Sequence, residues 1–225
     1  MPFIYRNRVI HQIYSKGFIP LFYSQDIELA KRVVEACYKG GARILEFTDR
    51  GKYAQKVFEK LSRLCSSEFP DMALGVGSVT DAEQARSYMG LGADFIVTPV
   101  LRKDVARVCN RRKTLWIPGC GSLSEIARCE ELGVEIVKLF PGNIYGPEFI
   151  KAVLSPQPWT SIMPTGGVTT EESNIRRWFD AGAVCVGIGS KLISKDILGS
   201  KDFKKLTKEV EKVVSIIEKS IEKCP

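Results

Sequence analysis

The sequence predicts an α/β protein, a (β/α)8 TIM barrel with an additional amphipathic helix at its C-terminal end. Two observations predict it. Short apolar runs rich in β-branched and aromatic residues alternate with stretches of helical periodicity, and this unit recurs eight times in about 200 residues. The apolar runs also end on glycine, proline or a polar residue, where a barrel carries its binding groups. A doubly wound sheet is the alternative arrangement of such units, and the eightfold recurrence favours the barrel. With no linker or composition break, residues 1–225 are expected to form one barrel domain, the terminal helix at 201–223 included.

The first strand is FIPLFY at 18–23, followed by a helix over 26–38 that places Ile27, Ala30, Val33, Val34 and Cys37 on one face. Gly40 and Gly41 stop it. ARILEFT (42–48) is the second strand and 53–64 its helix. MALGVG (72–77) is the third, and Asp81 and Glu83 put negative charge where the next helix begins. DFIVTP (94–99) leads to a basic helix ending near Asn110. TLWIPG (114–119) leads to a helix that Ser122 caps, with Glu125 completing a capping box. VEIVKLF (134–140) precedes a helix over 147–153, TSIMPTGG (160–167) one over 171–179, and AVCVGIG (183–189) is the eighth strand. Phe203, Leu206, Val210, Val213, Val214, Ile217 and Ile221 then recur at helical spacing, an apolar stripe to lay on the barrel.

Composition narrows the function classes. The chain has 225 residues, 44% hydrophobic and 26% charged, enough for a sizeable core and unlike a fibrous or disordered chain. No apolar stretch reaches the roughly 18 residues of a spanning helix, and charge interrupts MPFIYRNRVIHQIYSKGF before a signal-peptide core can form. A cytoplasmic protein is expected. The net charge is +7, and the segment 101–113 supplies five of those charges. Without interleaved aromatic residues this reads as a basic helix face and a field favouring a small anionic substrate; neither a nucleic acid nor a membrane is an expected partner. Seven cysteines without a CxxC pair read as reduced thiols, and with a single histidine, His11, no metal site is expected. Lysine and carboxylate must then carry any chemistry.

Lys138 is the first candidate. It ends an apolar run and precedes Leu139-Phe140-Pro141-Gly142, so its amine is expected in the barrel mouth, where partial burial favours the uncharged form that attacks a ketone to give a Schiff base. A strand-end lysine that snorkels to water is the plainer alternative. Glu46, at the end of Arg43-Ile44-Leu45, is costly to bury without a partner: opposite Lys138 it would shuttle protons, and an ion pair with Arg50 is the plainer alternative. Arg50 offers a planar fork for a carboxylate. Thr165-Gly166-Gly167 and Gly187-Ile188-Gly189-Ser190 follow the last two strands and present backbone N–H groups suited to phosphate. Ser78, Pro99 and Ser122 stand at other strand ends and line the same mouth.

Taken together, these motifs resemble the family of 2-keto-3-deoxy-6-phosphogluconate (KDPG) and 4-hydroxy-2-oxoglutarate (KHG) aldolases, from about Ile19 to Ile193. The residues that carry the resemblance are EFTDR with Glu46 and Arg50, GVGSV with Ser78, TPV with Pro99, IPGCGSLSE with Ser122, KLFPG with Lys138 and Phe140, and an intact PTGG at 164–167. The resemblance implies a class I aldolase. Lys138 would form the Schiff base, Glu46 serve as general acid and base, Arg50 and Ser78 hold the pyruvate carboxylate, and Phe140 pack on the three-carbon unit. Phosphate would sit on Gly166, Gly167, Gly189 and Ser190. It further implies a homotrimer and no cofactor. The chain departs from the family pattern at Tyr23, Asp49, Ser78, Val100 and Ile188, which bears on the length and phosphorylation of the preferred substrate. Two rival readings are a metal-free sugar-phosphate isomerase or transferase and a non-catalytic scaffold barrel.

Overall fold

The computed structural model describes residues 6–221. Residues 222 and 223 of the expected terminal helix, Cys224 and the first five residues of the N-terminal stretch lie outside the described residues. Eight parallel strands follow one another around the sheet: β1 (Phe18–Phe22), β2 (Ile44–Thr48), β3 (Ala73–Gly77), β4 (Phe95–Thr98), β5 (Leu115–Cys120), β6 (Val137–Leu139), β7 (Ile162–Pro164) and β8 (Val186–Ile188). β8 pairs with β1, Phe18 opposite Val186. The β7–β8 seam is closed by the Val184 N–H donating to the Ile162 carbonyl at 3.0 Å and by a bridge between Thr165 and Gly187. The expected barrel is the observed one.

Between successive strands run α2 (Ile27–Lys39), α3 (Ala54–Glu68), α4 (Ala82–Gly90), α5 (Lys103–Arg112), α6 (Leu123–Glu131), α7 (Gly142–Leu154) and α8 (Glu172–Asp180). Several starts are fixed by short acceptor side chains. Asp26 accepts from the N–H groups of Glu28 and Leu29, and Asp81 from those of Glu83 and Gln84, which satisfies donors that an α-helix leaves open. A turn of backbone at Gly146 (φ 70°) breaks α7, and its second part starts at Pro147, the position read from sequence as the helix start.

The barrel interior follows from two-residue alternation along each strand. Ile19, Ile44, Ala73, Phe95, Leu115, Ile117, Ile136, Met163 and Cys185 pack together inside it. Val9 and Ile13 belong to the same cluster, so α1 (Arg6–Lys16) plugs the N-terminal end of the barrel. α10 (Phe203–Ile221) lies across α2 and α8 with Leu206, Val210, Val213 and Ile217 buried, as the apolar stripe predicts.

Three features differ from the sequence reading. α1 has no counterpart in it, because charged and polar residues surround the two side chains that plug the barrel. The Gly187–Ser190 turn is read from sequence as leading into a helix, and that helix, α9 (Lys195–Ser200), starts only after its cap at Ser194 and not directly at the turn. The last three strands are shorter than their apolar runs: β6, β7 and β8 have three residues each. Apolar residues such as Ile136 and Cys185 pack inward from loop backbone, so burial there extends beyond the ladder. No described helix is long and apolar enough to cross a membrane.

Candidate active site

The alternation that fills the barrel also builds the site. Two residues beyond the interior Ile44 comes Glu46, and two beyond the interior Ile136 comes Lys138. Both side chains therefore point inward at the level where the packed core gives way to the C-terminal mouth. Glu46 is 1% exposed and Lys138 7%. The Lys138 Nζ lies 3.9 Å from Glu46 Oε1, and no ion pair joins Glu46 to Arg50 among the described residues. The other oxygen, Oε2, is buried and accepts no hydrogen bond. Taking two charges out of water costs several kcal/mol per ion before their attraction is counted. Packing alone gives no reason for a pair here.

Glycine makes the room. Gly77 ends β3 beside Glu46, and a Cβ at residue 77 would overlap the Glu46 carboxylate. Phe140 lies two residues past Lys138, its ring centroid 5.2 Å from the ammonium and its surface 38% exposed at the mouth. Ser78 turns the chain immediately after Gly77 in the left-handed region (φ 63°), unusual for serine and so a strained position.

In the barrel mouth opens a cleft of about 430 Å³, whose wall reaches Phe140 and Thr48 but includes neither Lys138 nor Glu46. Thr48, Arg50, Phe140, Thr165, Gly166 and Gly167 line one part of it, and Gly189, Ser190, Lys191 and Lys195 another. Thr165 Oγ1 and the Tyr23 hydroxyl, both from residues of the cleft wall, are likewise buried without a hydrogen-bond partner. Arg50 is exposed at the rim with no acidic partner among the described residues, its fork open to the cleft. Beside it, burial raises the Asp49 carboxyl above its ordinary range, and the nearby Tyr88 hydroxyl partly offsets this. Burial and the Asp49 charge in turn push the Tyr88 phenol up.

Not every residue read as site-lining comes to the cleft. The Ser122 hydroxyl accepts from the Glu125 N–H at 3.3 Å and donates to its Oε2 at 3.0 Å, while that carboxylate accepts from Gly121 N–H at 2.9 Å. Its bonds are spent on capping α6, the plainer of the two readings. Ser78 and Pro99 stand half-buried after β3 and β4, and the cleft wall does not include them. Sequence reasoning missed Thr48, Lys191 and Lys195. The two lysines follow the Gly187–Ser190 turn directly, and a cation beside a phosphate-like turn was the signal available. Among the described residues no cluster of histidine, cysteine, aspartate and glutamate is arranged to hold a metal ion.

A closed eight-stranded barrel whose mouth holds a buried amine beside a buried carboxylate has the parts of a barrel enzyme that works on a carbonyl through an imine. The family model for KDPG and KHG aldolases matches residues 9–209, and the chain belongs to that family. Among its relatives is the 2-dehydro-3-deoxy-phosphogluconate aldolase of Dickeya dadantii, 30% identical over 199 residues that cover 87% of this chain and 90% of the relative. The KDPG aldolase of Legionella pneumophila, solved with pyruvate captured at low pH as a covalent carbinolamine intermediate, is 26% identical. It superposes with a TM-score of 0.81 over 90% of this chain and 96% of the other. That of Zymomonas mobilis, solved with 3-phosphoglycerate, is 25% identical with a TM-score of 0.81, covering 92% and 95% of the two chains.

Proposed function

We propose that this protein is a class I aldolase that cleaves 2-keto-3-deoxy-6-phosphogluconate to pyruvate and glyceraldehyde 3-phosphate, and the shorter 4-hydroxy-2-oxoglutarate to pyruvate and glyoxylate. The observation that carries the reading is the buried Lys138 amine facing the buried Glu46 carboxylate at 3.9 Å. An amine so placed attacks the substrate's C2 ketone to form a carbinolamine, which loses water to give an iminium. Glu46 then takes the C4 hydroxyl proton. The C3–C4 bond breaks, its electrons pass into the iminium to form an enamine, and the aldehyde leaves. Protonation of C3 and hydrolysis of the imine release pyruvate and restore Lys138. Each stage moves a proton next to the same amine, so one carboxylate serves as acid and base. Cleavage of this kind asks the site to stabilise a growing enamine and not the substrate itself.

The remaining roles follow from position. Arg50 supplies the open fork for the 2-keto acid carboxylate, with Ser78 a candidate second donor, and the Phe140 ring covers the three-carbon unit. The backbone of Gly166, Gly167 and Gly189, with Ser190 and Thr165, receives the phosphate, and Lys191 and Lys195 add positive charge to that end of the cleft. The Zymomonas relative's 3-phosphoglycerate supports a phosphorylated acid as the preferred substrate. Removing both lysines, Lys191→Ala with Lys195→Ala, is expected to raise KM for the phosphorylated acid roughly 10-fold to 100-fold, the range of one or two charge-assisted contacts. KM for the unphosphorylated acid is expected to change less than twofold. Equal effects on the two acids would refute this placement of the phosphate.

Assembly as a cytoplasmic homotrimer belongs to the same proposal. Val100, Leu123 and Ile144 leave large apolar side chains exposed on the loops or helix starts after β4, β5 and β6, and Ile144 is 72% exposed. Neighbouring strands bring these segments to one side of the rim, where a second subunit would cover them. The charged substitution Ile144→Glu is expected to move the sedimentation coefficient from that of a trimer to that of a 25.1 kDa monomer. A monomeric wild type would remove the trimer from the proposal.

A further inference from the structure

On the side of the barrel away from the substrate cleft, Arg86 of α4 and Arg107, Arg111 and Arg112 of α5 line a separate cleft of about 480 Å³. Val108 is the remaining wall residue, and the two clefts share none. None of the four guanidinium groups has a hydrogen bond or ion pair among the described residues, although all are exposed and free to take one.

The wall of this cleft holds four cations and no carboxylate. Elsewhere some helix cations pair with a carboxylate one turn away, Lys31 with Glu28, Lys39 with Glu35, Arg63 with Glu59 and Arg176 with Glu172, while others such as Lys56, Lys60 and Arg177 stand unpaired among the described residues. What sets this group apart is that its unpaired guanidinium groups share one cleft. Here Arg107 and Arg111 stand four residues apart on α5, an arrangement that destabilises a helix by about 0.2–0.5 kcal/mol. The acids nearby are committed or apart. Asp104 is held by Arg102 at 2.9 Å, Asp81 caps α4, and Glu83, one turn before Arg86, pairs with none of the four. The helix dipole accounts for cations in the last turn of α5, Arg111 and Arg112. It accounts for neither Arg107 nor Arg86, which lies on another helix.

We infer that this cleft is a second anion site, independent of the aldolase reading, that takes a compact polyphosphate group such as the phosphate chain of a small metabolite. Guanidinium forks from two helices can grip several phosphate oxygens at once, which a single phosphate would not satisfy. The walls carry no aromatic ring to stack a base, so recognition rests on the phosphate chain and not on a nucleic-acid strand. The volume lies within the range of small-molecule sites.

The test is isothermal titration of the whole protein with inorganic tripolyphosphate, and separately with orthophosphate, at low and at moderate salt. One saturable site per chain is expected for tripolyphosphate, at least about tenfold tighter than for orthophosphate and weakening steeply with salt. It should persist in K191A/K195A, whose substrate cleft has lost its phosphate-side lysines. In R107E/R111E that affinity should fall at least about tenfold, the equivalent of roughly 1.4 kcal/mol, while aldolase turnover stays at the wild-type value. The neutral pair R107Q/R111Q keeps good helix formers at both positions and should lose most of the same affinity. Unchanged affinity in both variants would overturn the assignment. So would the absence of tripolyphosphate binding alongside tight binding of a single-stranded oligonucleotide, which would make the face a nucleic-acid surface.

Discussion

Replacing Lys138 by methionine is expected to abolish turnover, with kcat falling on the order of 10⁵-fold, because without the amine no covalent intermediate forms and only substrate positioning is left. Methionine is the informative choice. It keeps most of the volume at a position 7% exposed, so the barrel mouth does not collapse around a void. Removing one partner of a buried pair does leave Glu46 unpaired in the barrel, which costs stability. The melting temperature is therefore to be recorded beside the activity. Borohydride added to wild-type protein with pyruvate should fix one reduced three-carbon adduct, found by peptide mass spectrometry on the segment containing Lys138. The K138M variant should carry none while remaining folded. An adduct on another lysine, or turnover within about tenfold of wild type, would remove Lys138 from the mechanism and favour a sugar-phosphate isomerase or transferase without covalent chemistry.

The barrel was legible because its physics is periodic. Eight apolar runs separated by helical stretches admit few closed arrangements, and polar residues at the ends of two of those runs stood out against the cost of burying them. Glu46 and Lys138 could be found that way since each breaks an otherwise apolar strand. Their mutual distance could not, because residues 46 and 138 meet only when β2 and β6 are placed on opposite sides of one barrel. The plug α1 escaped for the opposite reason. It buries Val9 and Ile13 into the barrel and carries polar residues around them, so its pattern is weak until the hole it fills is known. Ser122 shows a third case. A serine three residues before a glutamate fits both a capping box and a binding loop, and only the hydrogen bonds of Glu125 separate the two. Lys191 and Lys195 lie just past the glycine turn, and a lysine in a loop or at the first residue of a short helix has no periodic pattern that marks it as facing the cleft.

Glu46 carries the second large effect, and Gly77 allows its position to be tested apart from its chemistry. Glu46→Gln keeps the shape of the side chain and removes the group that accepts and returns protons, so kcat is expected to fall by about 10²–10⁴. The pyruvate adduct should still form on Lys138 when the incubation is lengthened, because the amine remains. Gly77→Ala reaches the same carboxylate from outside. The added methyl group would overlap it, and since Gly77 lies in a strand without a positive φ, the alanine backbone itself is unstrained. Glu46 must then turn away from Lys138 while keeping its carboxylate. G77A is accordingly expected to lose turnover on the order of 10²-fold with an intact acid, and E46Q/G77A to be little worse than E46Q alone, since both changes remove one function. Additive losses in the double variant would show that Gly77 acts through something other than Glu46. A fall of less than about tenfold in E46Q would leave the proton transfers to water or to another group in the mouth.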